Sequence, residues 1–271
     1  MRKDWRSPPR WTSLTAFCGA AKEKGYIPIA FANNPGWEAL HQYSMTISQM
    51  MGPEALRAKL LENEGSWDTP ESVTAIKAFF VDLPAAGCFP DDVNAIQYDD
   101  GNSLFFTGQA LLHTTGSWLV GDIEEAMGDY EIGFVPFPII EEGKKPTWVS
   151  GVGSAYYITS KTAHPDEAAM LIDYLFSPDA VKQWVTGARY FVPVDVDLTG
   201  LEIGPVNRTV IDILQNAQKE NVPFGYNVDV LAPPPFNEMM QNGFQAVLAG
   251  DKTAEQQAAD LDAAWNEGMG S

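Results

Sequence analysis

The stretch from Trp11 to Ala32 couples two periodicities, and that coupling constrains the fold more than any other feature. In "WTSLTAFCGAAKEKG", Leu14, Phe17, Cys18 and Ala21 recur at helical spacing after a start at Thr12 or Ser13, and Gly25 stops the run. "YIPIAFA" then reads as a buried strand. A helix feeding a buried strand predicts an α/β fold. The next loop, "NNPGW", lies where the carboxyl end of that strand opens toward a cleft, which makes Trp37 the first site candidate.

The rest of the chain repeats the alternation. "EALHQYSMTISQMMG" reads as a helix ending at Gly52, and "TPESVTAIKAFFVDLPAAG" as a helix opened by Thr69. "NSLFFTGQALLHTTGSWLVGDIEEAM" gives a short helix stopped by Gly108, the strand "ALLHT", and a helix starting near Gly116–Trp118. "YEIGFVPFPI" reads as a strand whose two prolines suit an edge. The strands "YIPIAFA", "ALLHT" and "EIGFVPF" are expected in one sheet. "VSGVGSAYYITS" reads as a strand broken by glycines, "HPDEAAMLIDYLFSPDAVKQWV" as two tandem helices, and the remainder as an extended connection and three more helices.

Composition narrows the function classes. At 271 residues and 45% apolar, the chain can bury a sizeable core. A formal charge of −19 argues against nucleic acid and anionic membranes as partners. No apolar run reaches membrane-spanning length, and Asp4, Arg6 and two prolines interrupt the start where a secretory signal would be continuous, so no signal peptide and no direct membrane insertion are expected. Cys18 falls in a helix and Cys88 in a loop; these unlike contexts predict unpaired thiols. His41, His113 and His164 lack any local ligand spacing, so no metal is expected. Adjacent acids such as Asp91–Asp92 and Glu124–Glu125 read as solvated groups or helix starts rather than as a hydrolytic pair, and no catalytic residue or cofactor is assigned.

The order of these pieces resembles the family 1 extracellular solute-binding proteins, the sugar-binding components of ABC importers. "FFTGQALLHTTGSW" is similar to the family's Phe/Gly/Ala/Trp signature, and "YEIGFVPFP" to the strand after it. "GVGSAYYITSKTAHPDEAAMLIDYLFSPDAVKQWV" and "TAEQQAADLDAAWNE" resemble its later helical blocks. The resemblance implies an α/β, periplasmic-binding-protein-like fold, a periplasmic or extracellular location, and delivery of a sugar or polyol to an ABC importer permease without catalysis. The alternatives are a carbohydrate-active enzyme using paired carboxylates, or a truncated remnant.

A sugar offers apolar C–H faces and a rim of hydroxyls, so aromatic plates and polar side chains together suit it. The resemblance places Trp37 and Trp118 in cleft loops, where each either stacks on a sugar or packs in the core. It puts Trp148, Ser150 and Gly151 on one crossing between lobes and Tyr190 and Phe191 on the return crossing. Phe236 and Asn237 match a further cleft position or form a helix start after prolines. Trp5, Trp11, Trp184 and Trp265 read as packing.

The opening "SPPRWTSLTAFCGAAKEKGYIPIAFA" already resembles the family's second-lobe helix. The expectation is therefore one nearly complete lobe plus a fragment of the other, without the signal and most of the first lobe. Its segments would be 1–147 as the first part of the second lobe, 148–187 as hinge and first-lobe fragment, and 188–271 as the return crossing and helical remainder. Such a chain would offer a solute half a cleft.

Overall fold

A computed structural model describes residues 10–128, 130–145, 147–150, 155–190, 196–222 and 224–270. In chain order the elements begin with α1 (Trp11–Glu23), β1 (Ile27–Ala30), α2 (Trp37–Met51), α3 (Pro53–Glu62) and α4 (Pro70–Lys77). Next come α5 (Leu83–Ala85), α6 (Tyr98–Phe106), β2 (Ala110–His113), α7 (Val120–Ala126) and β3 (Trp148–Ser150). The remainder is α8 (Pro165–Leu175), α9 (Pro178–Gln183), α10 (Pro205–Lys219), β4 (Phe224–Tyr226), α11 (Val228–Leu231), α12 (Pro234–Ala249) and α13 (Ala254–Met269).

Two compact units share these elements. The larger comprises the described residues up to Thr114 and those within Val135–Gly151 and Val222–Ser271; the smaller comprises those within Thr115–Phe134 and Val152–Asn221. The chain thus changes unit after Thr114, Phe134, Gly151 and Asn221.

In the larger unit β1 and β2 pair in parallel, with Ile27 opposite Ala110 and Ala30 opposite His113, so "YIPIAFA" and "ALLHT" share a sheet. "EIGFVPF" does not join them. Residues 131–138 form no strand, and the reason is chemical: Pro136 and Pro138 carry no N–H and cannot donate to a ladder. A side chain supplies the missing neighbour instead. Gln49 Nε2 donates to the Pro138 carbonyl at 3.3 Å, and Gln49 Oε1 accepts from the Ile140 N–H at 2.6 Å. The expected strand "VSGVGSAYYITS" is also shorter than its pattern. Only Trp148–Ser150 is a strand, paired in parallel with β4, while residues 155–159 are irregular and 151–154 lie outside the described residues.

The core of the larger unit surrounds α2, eleven of whose fifteen residues are buried. On its apolar side Tyr43 packs against Trp67 and Phe244 in one cluster with Ile47 and Phe79, and Phe80 stacks on Phe244 with centroids 4.3 Å apart. Its polar side is buried as well, so each group needs a partner. Ser44 Oγ accepts from Val228 N at 2.9 Å, and Gln42 Nε2 donates to the Thr114 carbonyl at 3.4 Å.

Cys18 and Cys88 are not free thiols. They form a disulfide with Cα atoms 5.0 Å apart, both side chains being fully buried. α1 packs on β1, and Ile29 N donates to Cys88 O at 2.9 Å, so the strand brings the helix and the loop together. That juxtaposition spans 70 residues of sequence.

In the smaller unit the buried carboxylate of Glu124 pairs with Arg189 Nε at 2.9 Å and accepts from Asn207 N at 2.9 Å. α8 buries none of its residues: Met170, Leu171 and Tyr174 are exposed, and Tyr157 upstream is 89% exposed. Among the described residues no helix is long and apolar enough to cross a membrane.

Candidate solute-binding site

Gly36 sets the site by its backbone. Its φ of +83° is left-handed, open to glycine at little cost, and it turns the chain from the β1 loop directly into α2. Trp37 therefore occupies the first helical position, half-buried, with Tyr98 of α6 at 4.8 Å and His41 at 5.2 Å between ring centroids. His41 Nε2 lies 3.7 Å from Asp229 Oδ2 at the start of α11. Asn237 of α12 donates through Nδ2 to the Asp229 carbonyl at 2.8 Å. On the sheet, His113 at the end of β2 sits 3.1 Å from the Ala30 carbonyl and 2.8 Å from Asn102 Oδ1. Burial pushes its pKa down to about 4, so the ring is neutral at physiological pH.

Glu38 is the unusual member. Only 5% exposed, it finds no hydrogen-bond partner in any other residue for either carboxylate oxygen. Desolvation pushes its carboxyl up to about 7, against smaller opposing pulls from its own backbone N–H and from His41. One turn on, Gln42 Oε1 is buried and unpartnered too, as are Asp229 Oδ1 and Asn237 Oδ1. Unmet acceptors of this kind are uncommon in folded proteins.

The expected site residues divide between the units. Trp37, Trp148, Ser150, Phe236 and Asn237 belong to the larger; Trp118 and Tyr190 belong to the smaller; Gly151 and Phe191 lie outside the described residues. Of these, the structure joins Trp37 and Asn237 through His41 and Asp229. Trp148 and Ser150 form β3. Phe236 has no surface for a ligand: it is fully buried, 4.8 Å from the Trp67 ring and 5.3 Å from that of Trp265. Its position after three prolines starts α12, and the aromatic core takes the side chain.

Trp118 is 39% exposed in the smaller unit, on the turn before α7. Its ring folds back over Gly116, where an added Cβ would fall 1.9 Å from it. Tyr190 is 47% exposed beside Trp184, whose indole N–H donates to Leu175 O. Glu38, His41, Gln42, Tyr98 and Asp229 escape a reading of the sequence. An acid in the first helical turn reads as an ordinary partner of the helix dipole.

A profile described as bacterial extracellular solute-binding protein matches residues 1–197. The chain belongs to this family. Among curated relatives of this solute-binding protein, the maltotriose-binding protein of Pyrococcus abyssi is 26% identical over 175 residues, covering 64% of the chain and 36% of that protein. An uncharacterised ABC transporter extracellular-binding protein of Pyrococcus horikoshii is 24% identical over 173 residues, covering 63% and 38%. The chain thus spans less than two fifths of the curated relatives it matches.

Solved structures extend the likeness over almost the whole chain. A chitin oligosaccharide binding protein superposes with a TM-score of 0.81 at 21% identity, covering 97% of this chain and 65% of the other. A sugar transporter from Bacillus licheniformis in complex with stachyose gives 0.76 at 18%, covering 97% and 67%. At such identities the likeness establishes the fold, which is periplasmic-binding-protein-like.

Proposed function

We propose that the chain binds a carbohydrate or related polyhydroxy solute for delivery to an ABC importer permease, without catalysis, and that the amino end of α2 is the part of the larger unit that holds it. The observation that carries this reading is the placement of Trp37: a half-buried indole at a helix start, against Tyr98, with the buried acceptors of Glu38 and Gln42 on the same helix. An aromatic plate meets a sugar's C–H face, and acceptors meet its hydroxyls. Trp118 is proposed as the exposed plate of the smaller unit, and Tyr190 as a second aromatic there. Trp148, Ser150 and Gly151 are proposed beside the solute on the family resemblance alone. The relatives with maltotriose and stachyose in their names support a saccharide.

The test is calorimetric titration with neutral oligosaccharides, polyols, amino acids and short peptides up to tens of millimolar. Saturable heat from saccharides alone supports the reading. Saturable heat from amino acids or peptides, with none from saccharides, overturns it.

A further inference from the structure

Hydrogen bonding around α2 is lopsided. Gln42 Nε2 donates to the Thr114 carbonyl and Asn237 Nδ2 to the Asp229 carbonyl, so one N–H of each amide is engaged within the protein. Around α2 lie six buried, unpartnered oxygens that can only accept, both of Glu38, Oε1 of Gln42 and the Oδ1 atoms of Asn227, Asp229 and Asn237, beside the unpartnered hydroxyls of Ser48 and Thr114. Among the described residues, the only basic side chain beside either carboxylate is His41. His41 and Asp229 keep 25% and 22% of their side-chain surface exposed, so they are the members an incoming solute meets first.

A hydroxyl brings one donor together with two lone pairs, and so adds acceptors where acceptors are already in excess. An ammonium brings three donors and none. It also supplies positive charge beside two carboxylates, and charge-assisted hydrogen bonds are roughly twice as strong as neutral ones. We infer that the solute of this site carries a protonated amine beside its hydroxyls, held by Glu38 and Asp229. This rests on the carbohydrate reading above and narrows it to amine-bearing saccharides.

Three disaccharides with one β-1,4 glucose backbone separate the possibilities: the di-glucosamine, its di-N-acetylated form, and cellobiose. Titrated at pH 7 into the whole chain, the di-glucosamine is expected to bind at least about tenfold more tightly than the other two. Glu38→Gln, which keeps the shape and removes the charge, is expected to shrink that preference severalfold, and Asp229→Asn to do the same independently. Circular dichroism confirms that each variant is folded. Equal affinity for the three sugars, or a preference unchanged in both variants, overturns the inference and leaves the carbohydrate reading standing. Absence of binding by all three, with saturable binding of amino acids or peptides, removes both.

Discussion

Gln49 stands in for a strand beside Pro138: its amide takes the proline carbonyl and the N–H of Ile140, the two groups that a neighbouring strand would otherwise have paired. Both partners are backbone groups beside a fully packed helix, so they have little water to turn to. Replacing Gln49 by Ala is expected to destabilise the chain by about 1–3 kcal/mol, the cost of leaving buried polar groups unmet. Urea unfolding measures it. A loss under about 0.3 kcal/mol would show that the 138–140 segment finds other partners.

The disulfide gives a second expectation. Cys18 and Cys88 close a long loop and are both fully buried, so reduction, or Cys88→Ser, should cost about 2–5 kcal/mol. Thermal melts with and without reductant provide the comparison. Coincident melts would mean that the contacts between α1 and β1 hold the loop alone.

Glu38 makes stability depend on pH with a defined sign. Its carboxyl rises from 4.5 to about 7 on folding, so between those values the folded chain binds more protons than the unfolded one. The stability contributed by this group is fully present below pH 4.5 and is lost as pH rises through about 7. Melting temperatures of the wild type minus those of Glu38→Gln should therefore fall from pH 5 to pH 8. A flat difference would place a partner at the carboxylate that the structure does not show.

Exposed apolar side chains on the smaller unit predict association. Met170, Leu171 and Tyr174 of α8, with Tyr157, form an uncovered set on a chain whose net charge otherwise favours dispersion. Met170→Glu with Leu171→Ser should shift the sedimentation profile toward the monomer without lowering the melting temperature. An unchanged distribution would place any self-contact elsewhere.

Sequence patterns carried much of this fold, and the failures have physical causes. β1 and β2 were legible because their apolar runs are bounded by helix stops at Gly25 and Gly108. The third strand was not, because apolar patterning ignores the donors that Pro136 and Pro138 lack and says nothing of a glutamine elsewhere in the chain that replaces them. The disulfide was hidden by its sequence separation. Trp37 stood out because its loop follows the carboxyl end of a buried strand, whereas Glu38 became unusual only through its burial without partners on α2. The resemblance alone puts Phe236 at a cleft position, whereas the prolines before it mark a helix start whose side chain the core takes.

The central claim is that the first turn of α2 holds the solute through Trp37. It is tested most directly by titrating the saccharide giving the largest calorimetric response into the wild type and into Trp37→Ala, with folding checked by circular dichroism. The account predicts a loss of at least about tenfold in affinity, or about 1.4 kcal/mol, with the melting temperature little changed. Unchanged affinity in a folded Trp37→Ala chain would contradict it.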